Sequence, residues 1–448
     1  MRARLKLWWY EVKNSLWFLP AVLTAAAMLL SVLTVQIDQT LLLNRRAGVH
    51  WLFSGGTDGA RGVLQAIAGT MITVTALVFS ITVVALQLAA SQLTPRVLPA
   101  FMADRANQMA LGFFISTFTY SLLVLRVVRS PLEDAGAFVP SLSVTVAIVL
   151  ALFSVALLIY FVHHAANAMR ASVVIDRAAS VALELIAHRY PENVGEGVEP
   201  ESPAWLATVP AAMVCTDSSG YLQSINADAL FALAERHALT IRLEPAIGDF
   251  ILPGAEVASV WPETARDEEV EQAIRTALVL GPERTQQADV AFGFQQLSDI
   301  AVKALSPGIN DPTTAAICID RLSEGLVTLA NRGKPNEVRS GEDDSVRVVL
   351  PGPNFARLVG IAFDPIRHYG AGDPTIAEHL VSTLGRIARL IPIAHRAPIA
   401  SQANLVLKSM RAQVLLPEDQ EKVERAGAWI GAPAASADCE DAHVPLMP

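Results

Sequence analysis

The sequence is short of cysteine, of charge and, over most of its length, of lysine. Its three cysteines, Cys215, Cys318 and Cys439, are odd in number and far apart. They suit a reducing compartment and exclude a disulfide framework. Charged residues are 17% of the 448. No lysine lies between Lys13 and Lys303. Strings that mark common chemistry are missing as well: no phosphate-cradling glycine loop ending in Lys-Ser/Thr, no dinucleotide fingerprint, no nucleophile elbow and no zinc-protease helix. Glu378-His379 lacks the second histidine of a zinc site. These absences leave no catalytic residue, no metal and no cofactor to assign, and they count against an enzyme.

What charge there is divides the chain in two. Residues 1–165 carry 11 Lys/Arg and 6 Asp/Glu, a net of +5, and the remainder carries 23 and 37, a net of −14. An acidic second part argues against nucleic acid, which needs a basic footprint. The first part holds four long apolar runs, at about 17–37, 63–93, 107–127 and 138–162, each able to cross a ~30 Å hydrocarbon core as a helix. The stretch before them carries Arg2, Arg4, Lys6 and Lys13 with Trp8, Trp9 and Tyr10, suited to a headgroup layer. A signal peptide is the rival reading, but the following run is too long and has no clear small-residue cleavage site. Four spans put both termini on one side. Arg96, Arg105, Arg170 and Arg177 add to the N-terminal cations on that side, against Arg45, Arg46, Arg61 and Arg129 on the other. The bias favours both termini on the inner side of the membrane.

The second run, GVLQAIAGTMITVTALVFSITVVALQLAASQ, organises the rest. It has 31 uncharged residues, more than a bilayer needs. Thr73, Ser80 and Gln87 recur every seven residues, with Ala76 and Ser91 on the same side. In lipid such a stripe seeks another helix or a water-filled space, so these four polar residues are candidates for a pore or a helix interface. The short loop 91–108 contains Arg96, Asp104 and Arg105. It reads either as a solvated loop at the membrane surface or as a charged ring at a pore mouth. His163-His164 point about 100° apart on a helix and chelate poorly together; an interfacial place fits them.

Residues 166–203 read as a helical stalk and a Pro/Gly/Glu linker. A β-rich unit follows at 204–262, a small barrel or sandwich. Its phrase GDFILPGAEVASV is similar to the capped hairpin of lipoyl- or biotinyl-type carriers, but those need a lysine at the tip, and none is there. Residues 263–433 read as mainly helical, with ARDEEVEQAIRTALVLG as one amphipathic helix, a polar insert at 332–345 and an Ala/Pro-rich, disordered end at 434–448. Within it, a helix through Val290, Phe294 and Leu297 stops at Ser306-Pro307-Gly308, where Gly308 is expected to take a positive φ. Asp311-Pro312 then caps and opens a second helix. Arg284, Gln286, Gln287, Asp289, Asp299, Lys303, Asn310 and Asp311 surround this hairpin as a candidate polar hub. Asp289 and Asp299 are ten apart, about 15 Å along a helix, which weakens any paired-carboxylate reading.

Two long motifs now stand out: FSITVVALQLAASQLTPRVLPAFMADRANQMALGFFISTFTY and QQADVAFGFQQLSDIAVKALSPGINDPTTA. On these the chain resembles the family of predicted membrane proteins catalogued as domain of unknown function 2254, over nearly its whole length. The resemblance implies a bacterial inner-membrane protein with an N-terminal four-helix region and a cytoplasmic domain; it implies no activity. The expectation is therefore an α-helical membrane protein with four transmembrane helices at 1–165 and a cytoplasmic α+β domain holding a small β unit and a helical bundle. Two functions compete: an oligomeric channel or passive transporter with a cytoplasmic regulatory domain, and a membrane-anchored sensor or scaffold. The expected partners are the lipid bilayer, further copies of the chain, and an ion, small ligand or protein.

Overall fold

A computed structural model describes residues 12–13, 15–43, 52–129, 138–190, 204–265, 267–285, 288–332, 338–341, 345–351 and 354–431. Arg2, Arg4, Lys6, Trp8, Trp9, Tyr10, Arg45, Arg46, the 191–203 linker, most of the 332–345 insert, Gln286, Gln287 and the 434–448 end lie outside them. The chain falls into two compact units, Met1–Val173 and Val174–Pro448.

The first unit contains four helices long and apolar enough to cross a membrane: α1, Phe18–Leu43; α2, Thr57–Gln92; α4, Arg105–Leu125; and α5, Ser141–Ala168. A short helix α3, Leu98–Met102, lies between α2 and α4. At 36 residues α2 is about 54 Å long, well beyond the ~30 Å hydrocarbon core. The central element is α4, which packs on α1, α2 and α5. Gly112 lets α4 reach α1: a Cβ there would lie 2.8 Å from Leu23 and 2.9 Å from Pro20. Two apolar clusters fill the bundle. Leu64, Tyr120, Val124 and Val144 belong to one, and Met71, Val78, Phe114 and Phe161 to the other.

Polar side chains join these helices at one end. Asp38, 5% exposed on α1, accepts hydrogen bonds from Leu142 N (2.9 Å), Ser143 N (2.9 Å) and Ser143 Oγ (2.6 Å) at the start of α5. The residue before α5, Pro140, gives no side-chain cap. A carboxylate from another helix therefore satisfies the first free N–H groups of α5. Tyr120 of α4 completes the joint, donating to Ser143 O (3.1 Å) and lying 2.9 Å from Thr34 Oγ1 of α1.

The second unit begins with α6, Ala171–Arg189, whose Ile175, Ala179, Ala182 and Ile186 are buried at helical spacing. The β-rich part does not close into a barrel. Strands β1 (Ala212–Cys215), β3 (Thr240–Leu243) and β5 (Glu256–Trp261) join β7 (Val338–Ser340) and β8 (Val346–Val349) in one sheet, ordered β1-β5-β3-β8-β7, with β3 and β8 parallel. Strands β2 (Gly220–Ile225), β4 (Phe250–Ile251) and β6 (Leu278–Gly281) form a second, antiparallel sheet. Helices α7, Ala227–Arg236, and α8, Glu268–Ala277, complete the part, and Leu230, Ile241, Val257 and Ile274 fill one core. The segment read as one helix through ALVLG divides: α8 ends at Ala277, and Leu278 onward pairs as a strand with β2.

The helical part comprises α9 (Val290–Ala304), α10 (Pro312–Ala330), α11 (Phe355–Gly370), α12 (Pro374–Leu390), α13 (Arg396–Gln413) and α14 (Pro417–Ala426). The pair α9 and α10 forms the expected hairpin, α11 and α12 pack on it, and α13 and α14 pack on α11 and α12 in turn. Gly293 of α9 sits against α6, where a Cβ would lie 2.8 Å from Ala182.

Candidate functional site

Three places hold the candidate residues: the outer face of α2, the turn after it, and the α9–α10 hairpin.

On α2 the buried residues Ala60, Leu64, Ala68, Met71, Val78, Thr82 and Ala89 define the face turned to the bundle. At about 100° per residue, Thr73, Ser80, Gln87 and Ser91 lie on the opposite face, and all four are exposed in the single chain. Gly62, Ala66, Gly69 and Ala76 share that exposed side. The seam is thus small in its first half and polar in its second. Thr73 Oγ1 donates back to Gly69 O (2.9 Å) and Ser91 Oγ to Leu88 O (3.1 Å), which lowers the cost of these hydroxyls in an apolar setting. Exposed Ile72 and Phe79 flank the seam.

The turn after α2 is not simply a solvated loop. Thr94 caps a short 3-10 turn, Pro95–Val97, and Val97 and Phe101 are buried. Arg96 and Arg105 are exposed, while the Asp104 side chain is 4% exposed. One Asp104 oxygen accepts from Ala106 N (2.9 Å) and caps α4; the other is 3.0 Å from His164 Nε2 near the end of α5. The Tyr160 ring stacks on His164 at 5.8 Å. His163 instead meets Asn167, at 2.9 Å. The two histidines separate, as their helical angle requires, and one clips the turn to α5.

The hairpin residues do not converge on one point. Asp289 caps α9, accepting from Phe292 N (3.0 Å), and is 3% exposed beside the Arg284 guanidinium (2.6 Å). Arg284 also donates to Gln295 Oε1 (2.6 Å) and lies over the Phe292 ring. Gly248, at φ +93°, presses on this pair so closely that any Cβ would collide with Asp289. Burial pushes the Asp289 carboxyl above the usual aspartate range, against the opposing pull of Arg284 and the helix N–H groups. With Gly248 against it, the pair joins the β-rich and helical parts. Asp299 is half-buried further along α9, and Lys303 is exposed near its end.

At the turn, Asp311 caps α10 as expected: its carboxylate accepts from Thr314 N (3.0 Å) and Thr314 Oγ1 (2.6 Å). These bonds, led by the hydroxyl, hold its carboxyl below the ordinary range. The positive φ falls on Asn310, at +51°, and not on Gly308. Asparagine tolerates that region because its short side chain can bond locally.

Sequence reading missed Asp38, one residue past the apolar run that ended at Ile37. The signal was available: Ser31, Thr34 and Asp38 sit at i, i+3 and i+7, one helix face of buried polar groups. The Asp104–His164 contact joins residues 60 apart, and no local pattern announces it. Among the described residues, no group of three or more His, Cys, Asp or Glu is placed to hold a metal ion.

Comparison with known proteins agrees with a membrane protein. Two relatives, uncharacterized proteins of Mycobacterium bovis and Mycobacterium tuberculosis, are 33% identical over 382 residues, covering 84% of this chain and 73% of theirs. No solved structure matches. The family profile described as "Predicted membrane protein (DUF2254)" matches residues 13–386, and the chain belongs to that family.

Proposed function

We propose that this protein is the subunit of an oligomeric inner-membrane channel or passive transporter, with both termini and the Val174–Pro448 unit in the cytoplasm, where that unit regulates the pathway. The observation that carries the reading is the outward face of α2. A span that turns hydroxyls and a carboxamide away from its own bundle needs water or another polar helix opposite. Gly62, Ala66 and Gly69 allow close approach of a second α2, and the seven-residue recurrence suits parallel packing of copies inserted in one orientation. The seam holds no Asp, Glu, Lys or Arg, which favours passive conduction over proton coupling.

The test is cysteine replacement at Thr73, Ser80, Gln87 and Ser91, in protein freed of its native cysteines, with Ile72 and Phe79 as lipid-facing controls. A water-soluble thiol reagent should label the first set and spare the second, and oxidation should cross-link copies through Thr73→Cys or Ser80→Cys. Cross-linking without labelling would indicate a dry helix interface and favour the sensor or scaffold reading. Equal labelling of both sets would overturn the assignment. A reporter fused after Pro448 and active only outside the cytoplasm would overturn the orientation.

A further inference from the structure

We propose that one end of the helical part rests on the lipid surface through its apolar turns. Three turns share that end. Leu305, which leads into the α9–α10 turn, lies against the last residue of α11: a Cβ at Gly370 would sit 3.0 Å from its side chain. Gln413, the last residue of α13, lies as close to Gly372 in the α11–α12 turn. Each turn shows an apolar side chain to solvent. Ile309 stands on the first, Tyr369 beside the second, and Leu415 and Leu416 on the third, the last two 91% and 62% exposed. Turns that meet only water are ordinarily polar, and apolar side chains gathered at one exposed place mark a contact surface.

The path of the chain names the partner. Helix α6 runs beside α10 in the same direction, since Asp176 pairs with Arg321 and Ala187 O accepts from Arg332, at one constant offset of 145 residues. Before the Asp176–Arg321 level, α10 extends about 14 Å and α6 about 8 Å. The turn that precedes α10 therefore lies past the start of α6, at the end by which the chain enters this part. It enters from α5, a candidate membrane span that ends at Ala168. The steps from Ala168 to Ala171 cover at most about 10 Å. The end that carries the apolar turns is thus the end tethered to a bilayer, and a tether replaces recruiting affinity with a high effective concentration. Charges at this end are of both signs, Lys303 against Glu418 and Asp419, so the contact is apolar and needs no anionic lipid. Leu415, Leu416 and Ile309 enter the headgroup boundary, and Tyr369 sits at headgroup level as tyrosines do at membrane surfaces. None of this depends on whether α2 lines a pathway.

The test uses the full-length protein with Cys215→Ser and Cys439→Ser, which keeps the buried Cys318. Ile309→Cys, Leu415→Cys and Leu416→Cys each receive an environment-sensitive fluorophore, in variants that keep the size of the unaltered protein in detergent. Ile393→Cys is the control. Ile393 is 76% exposed but lies beyond the end of α12, where Leu390 O accepts from Asn331 at the far end of α10. The liposomes are uncharged phosphatidylcholine with a nitroxide high on the acyl chain in both leaflets. Labels at 309, 415 and 416 should emit at shorter wavelength and be quenched by the lipid several-fold more than the label at 393. Equal lipid quenching at both ends overturns the proposal. So does a label at 415 that iodide reaches and the lipid nitroxide does not, which places the turns in water. A label that neither quencher reaches also overturns it, because a protein surface, such as a second copy of the chain, then covers the turns.

Discussion

Asp311 acts through geometry that other short acceptors can copy. Its oxygens receive Thr314 N and Thr314 Oγ1 at the first turn of α10, and Pro312 at the first helical position has no N–H to satisfy. Asp311→Ala should lose about 0.5–2 kcal/mol, whereas Asp311→Asn should lose little. The pH dependence follows from the lowered carboxyl. A group whose folded value lies below its unfolded one stabilises the fold above the ordinary aspartate range, and that contribution disappears as pH falls through the folded value. Thermal unfolding of Asp311→Asn should therefore show a shallower acid limb than the unaltered protein. A stable Asp311→Asn protein that has lost conductance would show instead that the carboxylate itself meets a ligand.

At the scale of elements, the helices were legible because their periodicity is local. The four apolar runs, the α9–α10 hairpin and the Asp311 cap can all be read within a few turns of chain. The sheets were less so. Strand β8 pairs with β3, and Thr240 Oγ1 donates to Val346 O across 106 residues; no window of sequence contains both partners. The change from α8 to β6 between Ala277 and Leu278 was hidden for a related reason. ALVL suits either state, and the edge offered by β2 decides it. Similarly, the polar seam of α2 could be seen in the sequence, but its position opposite the buried face could not. The close contact of α1 with α4 is testable at this scale. Gly112→Leu should force Pro20 and Leu23 aside and cost about 1–3 kcal/mol as overpacking. Thermal denaturation in detergent should register that loss in the first unit, and an unchanged transition would show that the two helices are looser than described.

On the scale of the whole molecule, the two units carry opposite charge and can be followed separately. Cys318 is a natural reporter for the second. Its side chain is fully buried on α10, and desolvation, with Asp311 nearby, pushes its thiol well above the ordinary range. In protein with Cys215→Ser and Cys439→Ser, modification of Cys318 should follow global opening of this unit, accelerating with denaturant in step with unfolding. Rapid modification under native conditions would mean that α10 opens locally.

The first unit has a dependence of another kind. The opening N–H groups of α5 lie within reach of no side chain in the residue before it, and their acceptor belongs to α1. The fourth span emerges last in synthesis and meets its capping carboxylate on the first. Until those two meet, the start of α5 has three donors and no acceptor; once they meet, Tyr120 of the third span is fixed beside them. Biogenesis of the bundle is therefore completed by its first and last segments finding each other, and a chain begun after residue 38 would insert its final span without the group that caps its start.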